Sequence, residues 1–350
     1  MDSLTQIVLG GAIGELVAGK RMGNKAVLWG AIAGTIPDLD VFFRVFYHPI
    51  EAALVHRGFS HSILFALLAG PILGWIFNRL TNNKFGLKIW IKLFFLGIIT
   101  HPMLDMFTNY GTQFLWPFDV RITFNSVFVI DPLYTVPFMA LLIWSMCLRK
   151  EGEKRRRLNR IGLIYSTSYL LLGLLIKWYV WTDSQQYLKQ HHLKVNRMMI
   201  TPMPFTCFYW YVLGENQDQY IVMHRSVFNS TIVESPRIIN RGAMRISDLR
   251  WQGKNQNFNL KKVTNDYCLV KEQGSKLVVY DLRFGFLSKF TKEKINTPLM
   301  GFNFNLKHNR IIGTTMNRLS QWDKIDFGYY TQCVFGKSAQ NNHPILNKKP

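Results

Sequence analysis

The sequence predicts an α-helical integral membrane bundle of about five to six helices, followed by a β-rich soluble C-terminal domain. Three observations carry the prediction. Long apolar runs fill the first 190 of 350 residues, Lys and Arg gather in alternate loops between them, and short aromatic and β-branched stretches take over from about residue 200. The boundary falls so that residues 1–185 form the membrane-embedded domain and residues 190–350 the β-rich one. The chain is 48% hydrophobic and only 18% charged, which excludes a disordered or collagen-like protein.

Six stretches are candidates to cross the hydrocarbon core, roughly 3–19, 26–45, 61–77, 89–107, 127–148 and 161–181. The last three are the most apolar; the first three are short or carry polar residues, as partial or re-entrant spans do inside a bundle. Ser3 and Gln6 have the spacing of a capping box for the first helix. The loops between them set the orientation. Lys20, Arg21 and Lys25, then Arg79, Lys84 and Lys88, then Arg149, Lys150 and the run from Lys154 to Arg160 fall in alternate loops, and basic loops stay cytoplasmic. The loops at 46–60 and 108–126, and everything after about residue 182, are then extracytoplasmic. Met1-Asp2-Ser3 places no basic residue before the first apolar stretch, the wrong flank for an export signal.

Beyond residue 200, stretches such as TCFYWYVL, QYIVMHRSVF and KLVVYDLRFGFL read as strands of an antiparallel sheet or small barrel. Asp281 and Arg283 read there as an ion pair at a strand end rather than a catalytic pair. Over residues 191–350, 23 Lys and Arg against 10 Asp and Glu leave +13, suited to anionic headgroups or an anionic substrate. The whole chain carries +21, but much of that excess lies in the cytoplasmic loops, so no nucleic acid is expected as partner. Cys147, Cys207, Cys268 and Cys333 form no CxxC pair and predict neither a zinc knuckle nor a disulfide framework.

Ionisable residues at membrane depth are costly and mark function. Asp38 and Asp40 follow Pro37, His56, Arg57 and His61 enter the third helix, and His101 and Asp105 end the fourth; Asp119 and Asp131 follow. All map to the extracytoplasmic side. Singly each has an ordinary explanation: a backbone-bonded histidine, a helix-terminal Asp, a proton relay. Together they point to a metal site. His101 and Asp105 are one helical turn apart, His56 and His61 bracket Gly58, and Asp38 and Asp40 would repel without a cation or shared proton between them. Imidazole and carboxylate donors suit zinc, with manganese or iron as alternatives, and the absence of thiolates favours an open catalytic site. Arg57 reads either as a guanidinium clamp for a phosphate or carboxylate or as an interfacial residue.

The ordered motifs MDSLTQ, IPDLD, HRGFSHS, HPMLDMFTNYGTQFLWPF and IDPLYT resemble the YdjM-like family of membrane-bound, predicted metal-dependent hydrolases, over residues 1–180. The resemblance implies a protein of the bacterial inner membrane. More distantly, the motifs are similar to the helical zinc phospholipase C and P1 nuclease group, which implies ligands drawn from Asp38, Asp40, His56, His61, His101 and Asp105, with Asp131 a weaker addition. The N-terminal tryptophan of that group is missing here. The expected function is hydrolysis of a lipid or envelope phosphoester or ester. Asp38 or Asp105 would serve as the base and Arg57 as a catalytic partner; membrane lipids and a lipid or small-molecule substrate are the partners. The alternative is a metal or proton transporter using the same cluster, for which Glu15 is the one obvious relay residue on the cytoplasmic side.

Overall fold

In a computed structural model, the residues described are 1–229, 236–242, 244–252, 254–274, 276–286, 298–308, 310–317 and 326–337. Helix α1 (Ser3–Met22) is capped by Asp2, which accepts from the Thr5 amide at 3.1 Å and the Thr5 hydroxyl at 2.5 Å. Ser3 and Gln6 therefore do not form the expected capping box, and the Gln6 amide is left for another task. Helix α2 (Asn24–Thr35) turns back along α1, and glycines make the crossing close. A Cβ at Gly14 would sit 2.9 Å from the Cα of Gly30, and one at Gly34 would sit 3.0 Å from the Cα of Gly10. Backbones approach this tightly in membrane bundles where small residues face one another.

At Pro37 the chain tightens into a 3-10 helix over Ile36–Phe46. Such runs rarely exceed three or four residues, and long ones mark strained or functional segments. This one carries Asp38 and Asp40. After α3 (Pro49–Val55) and a 3-10 turn at Phe59–His61 come α4 (Ile63–Leu80) and α5 (Leu87–Asp105), then α6 (Pro132–Met146) and the 38-residue α7 (Glu153–Gln190).

Among the described residues, four helices are long and apolar enough to cross a membrane: Asn24–Phe43, α4, α5 and α7. The expected span at 127–148 is shorter because Asp131 starts α6. Its carboxylate accepts from the amides of Leu133 and Tyr134 and from the Tyr169 hydroxyl at 2.8 Å. Fifteen residues reach only about 22 Å, short of the ~30 Å hydrocarbon thickness. Helix α1 has the length, but glycines, Gln6, Glu15, Lys20 and Arg21 dilute its apolar character. Glu15 is buried and bound by Arg155 of α7, with Nε to Oε1 at 2.7 Å and Nη2 to Oε2 at 2.5 Å.

The β-rich region has two four-stranded antiparallel sheets. The first runs β1 (Arg197–Pro202), β2 (Tyr209–Glu215), β3 (Gln219–Ser226) and β4 (Arg237–Asn240); helix α8 (Asn257–Thr264) follows. The second runs β5 (Cys268–Gln273), β6 (Lys276–Phe286), β7 (Pro298–Lys307) and β8 (Arg310–Asn317), before α9 (Phe327–Val334). Val270, Leu277, Val279, Phe302 and Phe304 build a core that also takes in Leu260 and Ile50. The expected Asp281–Arg283 pair is present at 2.7 Å, beside an irregularity in β6. All four cysteines are free thiols; Cys147 is exposed, and burial pushes the Cys268 thiol up to about 12.

Two compact units divide the chain. One comprises Met1–Val45, Val55–Leu175 and Pro204–Thr206; the other comprises Phe46–Leu54, Ile176–Met203 and the described residues from Cys207 on. The segment bearing α3 is thus grouped with the sheets, although the residues flanking it, Asp40 and His56, are grouped with the helices.

Candidate metal centre

Four pieces of backbone bring the site together: the 3-10 run after α2, the turn at 56–61, the C-terminal end of α5 and the N-terminal end of α1. The polar motifs sit where helices stop, because broken helix ends inside protein can host side chains that lipid-facing turns cannot.

Asp38 Oδ1 lies 3.4 Å from His61 Nε2 and 3.4 Å from His101 Nε2, and the two imidazole nitrogens are 3.2 Å apart. Donor atoms bound to one tetrahedral zinc at 2.0–2.1 Å are about 3.3 Å from each other, so the three separations are those of co-ligands. The far nitrogens are occupied. His101 Nδ1 is 2.5 Å from the Gly34 carbonyl, which fixes Nδ1 as the protonated atom and leaves a lone pair on Nε2. His61 Nδ1 has Ser60 Oγ at 2.9 Å and Asp40 Oδ2 at 3.4 Å. Both imidazoles are fully buried.

Asp105 stands beside this triad. Its Oδ2 is 3.6 Å from His61 Nε2 and 3.8 Å from His101 Nε2, is buried, and has no hydrogen-bond partner among the described residues, although Arg57 Nε lies 3.0 Å away. Its Oδ1 is held by the Gln6 amide at 3.0 Å and by the Met1 amino group. The Asp38 oxygen and the two imidazole Nε2 atoms are a donor set that suits a divalent ion, with the Asp105 carboxylate beside them.

The remaining expected residues divide in two. Asp40 and His56 lie next to the triad: His56 Nδ1 is 2.7 Å from Asp40 Oδ1, and a second group of three ligand-type atoms joins them to Asp38. Burial holds the His56 imidazole below its ordinary value against the raising effect of the Asp40 carboxylate. Arg57 is buried, donates from Nη1 to Thr108 at 3.0 Å and lies over the Tyr110 ring. Its guanidinium thus serves Asp105 and Thr108. Asp131 belongs to the α6 cap, and Asp119 accepts from Gln113 at 2.9 Å; neither joins the cluster. Gln6, Ser60, Thr108 and the Gly34 carbonyl were not anticipated. For Gln6 the signal was available, since MDSLTQ is one of the family motifs and an amide that does not cap its helix needs another partner.

The ordered motifs that build this site also define a family. The model of the YdjM inner membrane protein family matches residues 1–182. The chain belongs to this family. Relatives of this YdjM-family chain include the uncharacterized protein YfhP of Bacillus subtilis, 28% identical over 153 residues, or 41% of this chain and 46% of that one. The inner membrane protein YbcI of Escherichia coli is 29% identical over 109 residues (29% of this chain, 62% of YbcI). The inner membrane protein YdjM of the same organism is 28% identical over 135 residues (37% of this chain, 65% of YdjM). The chain thus spans about half to two thirds of the length of these curated relatives. No solved structure matches.

Proposed function

We propose that this YdjM-family protein is a metal-dependent hydrolase of the inner membrane, acting at the extracytoplasmic face on a lipid or envelope phosphoester or ester. The observation that carries the reading is the meeting of Asp38 Oδ1, His61 Nε2 and His101 Nε2 at co-ligand spacing, with the buried Asp105 Oδ2 beside them. Three protein donors are the complement of a catalytic zinc, whereas a closed structural site uses four, and zinc is the ion we assign. The bound ion would polarise the ester oxygen and acidify a water molecule. The chain's own groups do the rest: Asp105 Oδ2 takes the proton of the attacking water, Arg57 Nε holds that carboxylate in place, and Gln6 fixes its other oxygen.

Two features favour a substrate drawn from the membrane. The 3-10 run carrying Asp38 exposes Leu39, Phe42 and Phe43, and the segment after α5 exposes Leu115, Trp116 and Phe118. Tryptophan near the ends of spanning helices, as Trp116 is here, settles at the headgroup level, where a lipid ester lies.

The test is elemental analysis of the detergent-purified chain, wild type beside His101→Ala. We expect zinc, manganese or iron in the wild type and its loss in the variant, followed by a phosphoester and lipid substrate screen. No metal in either protein after supplementation would remove the hydrolase reading.

A further inference from the structure

The two overlapping ligand groups leave open whether the site holds one ion or two, and what Asp40 does. Separations between atoms distinguish the cases. Atoms sharing an ion stand about 3.3 Å apart, as Asp38, His61 and His101 do. The Asp40–His56 contact is 2.7 Å, the length of a charge-assisted hydrogen bond and too short for two donors to one tetrahedral ion.

The rest of the Asp40 carboxylate is also taken. Oδ2 accepts from the backbone N–H of Arg57 at 3.0 Å and from the Ser60 hydroxyl at 2.8 Å. With His56, these partners are three residues of one turn, and the next residue after Ser60 is His61. The turn needs holding. Arg57 has φ +64°, a left-handed conformation that a non-glycine residue adopts only at an energetic cost, and its amide is the one fixed by Asp40. Ser60 reaches the other way to His61 Nδ1 at 2.9 Å, so the chain of bonds runs from Asp40 through Ser60 to the ligand imidazole.

We infer that the site holds a single ion on Asp38, His61 and His101, and that Asp40 is a positioning residue, not a ligand, which fixes the 56–61 turn and aims His61. This rests on the metal reading above. His56 then stands outside the ligand set, with Nε2 making no hydrogen bond among the described residues and its side chain 22% exposed.

The experiment is metal stoichiometry, zinc affinity by competition and the cobalt(II) absorption spectrum of the full chain in detergent, for wild type, Asp38→Asn, Asp40→Asn and His56→Gln. We expect one ion per chain in the wild type, its loss in Asp38→Asn, and one ion retained in His56→Gln. Asp40→Asn should keep one ion and the wild-type cobalt bands but bind zinc about 10–100-fold more weakly, as loss of an outer partner does. Should Asp40→Asn fail to fold, Ser60→Ala cuts the same chain of bonds and should show the same weakened, still stoichiometric binding. Two ions in the wild type with one lost in Asp40→Asn or His56→Gln would overturn the inference, as would unchanged affinity in Asp40→Asn. No ion in the wild type would instead overturn the metal reading itself.

Discussion

The Glu15–Arg155 pair separates a structural bolt from a proton relay. Both side chains are about 98–99% buried, and both carboxylate oxygens are engaged by one guanidinium whose Nη1 also reaches the Leu148 carbonyl at 3.1 Å. Glu15→Gln leaves a buried cation without its counter-charge and should cost about 3–5 kcal/mol. Glu15→Leu combined with Arg155→Met removes both charges together and should recover most of that loss, because the uncompensated charge, not the missing attraction, dominates the cost. Unfolding of the detergent-solubilised variants, followed by circular dichroism, measures both. A single-variant cost below about 1 kcal/mol would place the pair with exposed salt bridges and refute the argument. Proton flux in vesicles supplies the second arm: flux that depends on Glu15 in a normally folded Glu15→Gln protein would bring the transporter reading forward. A relay residue has to exchange its proton, and the geometry instead commits Glu15 to Arg155.

Two further predictions concern orientation and the support of the site. Cys147, the exposed thiol just beyond α6, should react with a membrane-impermeant maleimide in inside-out vesicles and not in intact spheroplasts, while buried Cys268, its thiol pushed up to about 12, stays unlabelled at pH 8 in both; labelling of Cys147 from outside would reverse the orientation drawn from the basic loops. Gln6→Leu deletes the amide that holds Asp105 Oδ1 and should weaken metal binding about 10–100-fold without changing its stoichiometry, as read by the same competition titration.

The cluster was legible because acids and histidines have no cheap place in an apolar helix, so their positions alone marked a site. Their division of labour was not. Asp38 and Asp40 look alike in IPDLD, yet one faces two imidazoles and the other a turn, and that depends on a 3-10 run where the apolar pattern suggested a continued helix. Gln6 was hidden by a competing local rule: Ser3 and Gln6 have capping-box spacing, but Asp2, one residue earlier, takes the cap, releasing Gln6 inward. The fifth apolar run was overextended for a related reason. Val127 to Ile130 are apolar, and only the Asp131–Pro132 pair, a cap and a favoured first helical residue, shows where α6 begins. Strand existence followed from aromatic and β-branched runs, and within each sheet consecutive strands pair in chain order; the division into two sheets is what no local pattern records.

Residues Phe46–Leu54 are anchored among the sheets, where Ile50 is 1% exposed among Leu260, Val270, Leu277, Phe302 and Phe304, and Glu51 is bonded to Lys254 and Gln256 at 2.9 Å. Those two bonds hold the Glu51 carboxyl below its usual range. The segment is thus held by residues distant from it in sequence. Ile50→Asp places a charge in that core and should cost more than about 3 kcal/mol by the lost apolar burial and the unpaired carboxylate together. Ile50→Val, which removes one methylene, should cost about 0.5–1.5 kcal/mol. Hydrogen exchange of residues 46–54 reads the first effect directly. Exchange in Ile50→Asp as slow as in the wild type would show that this core does not hold the segment.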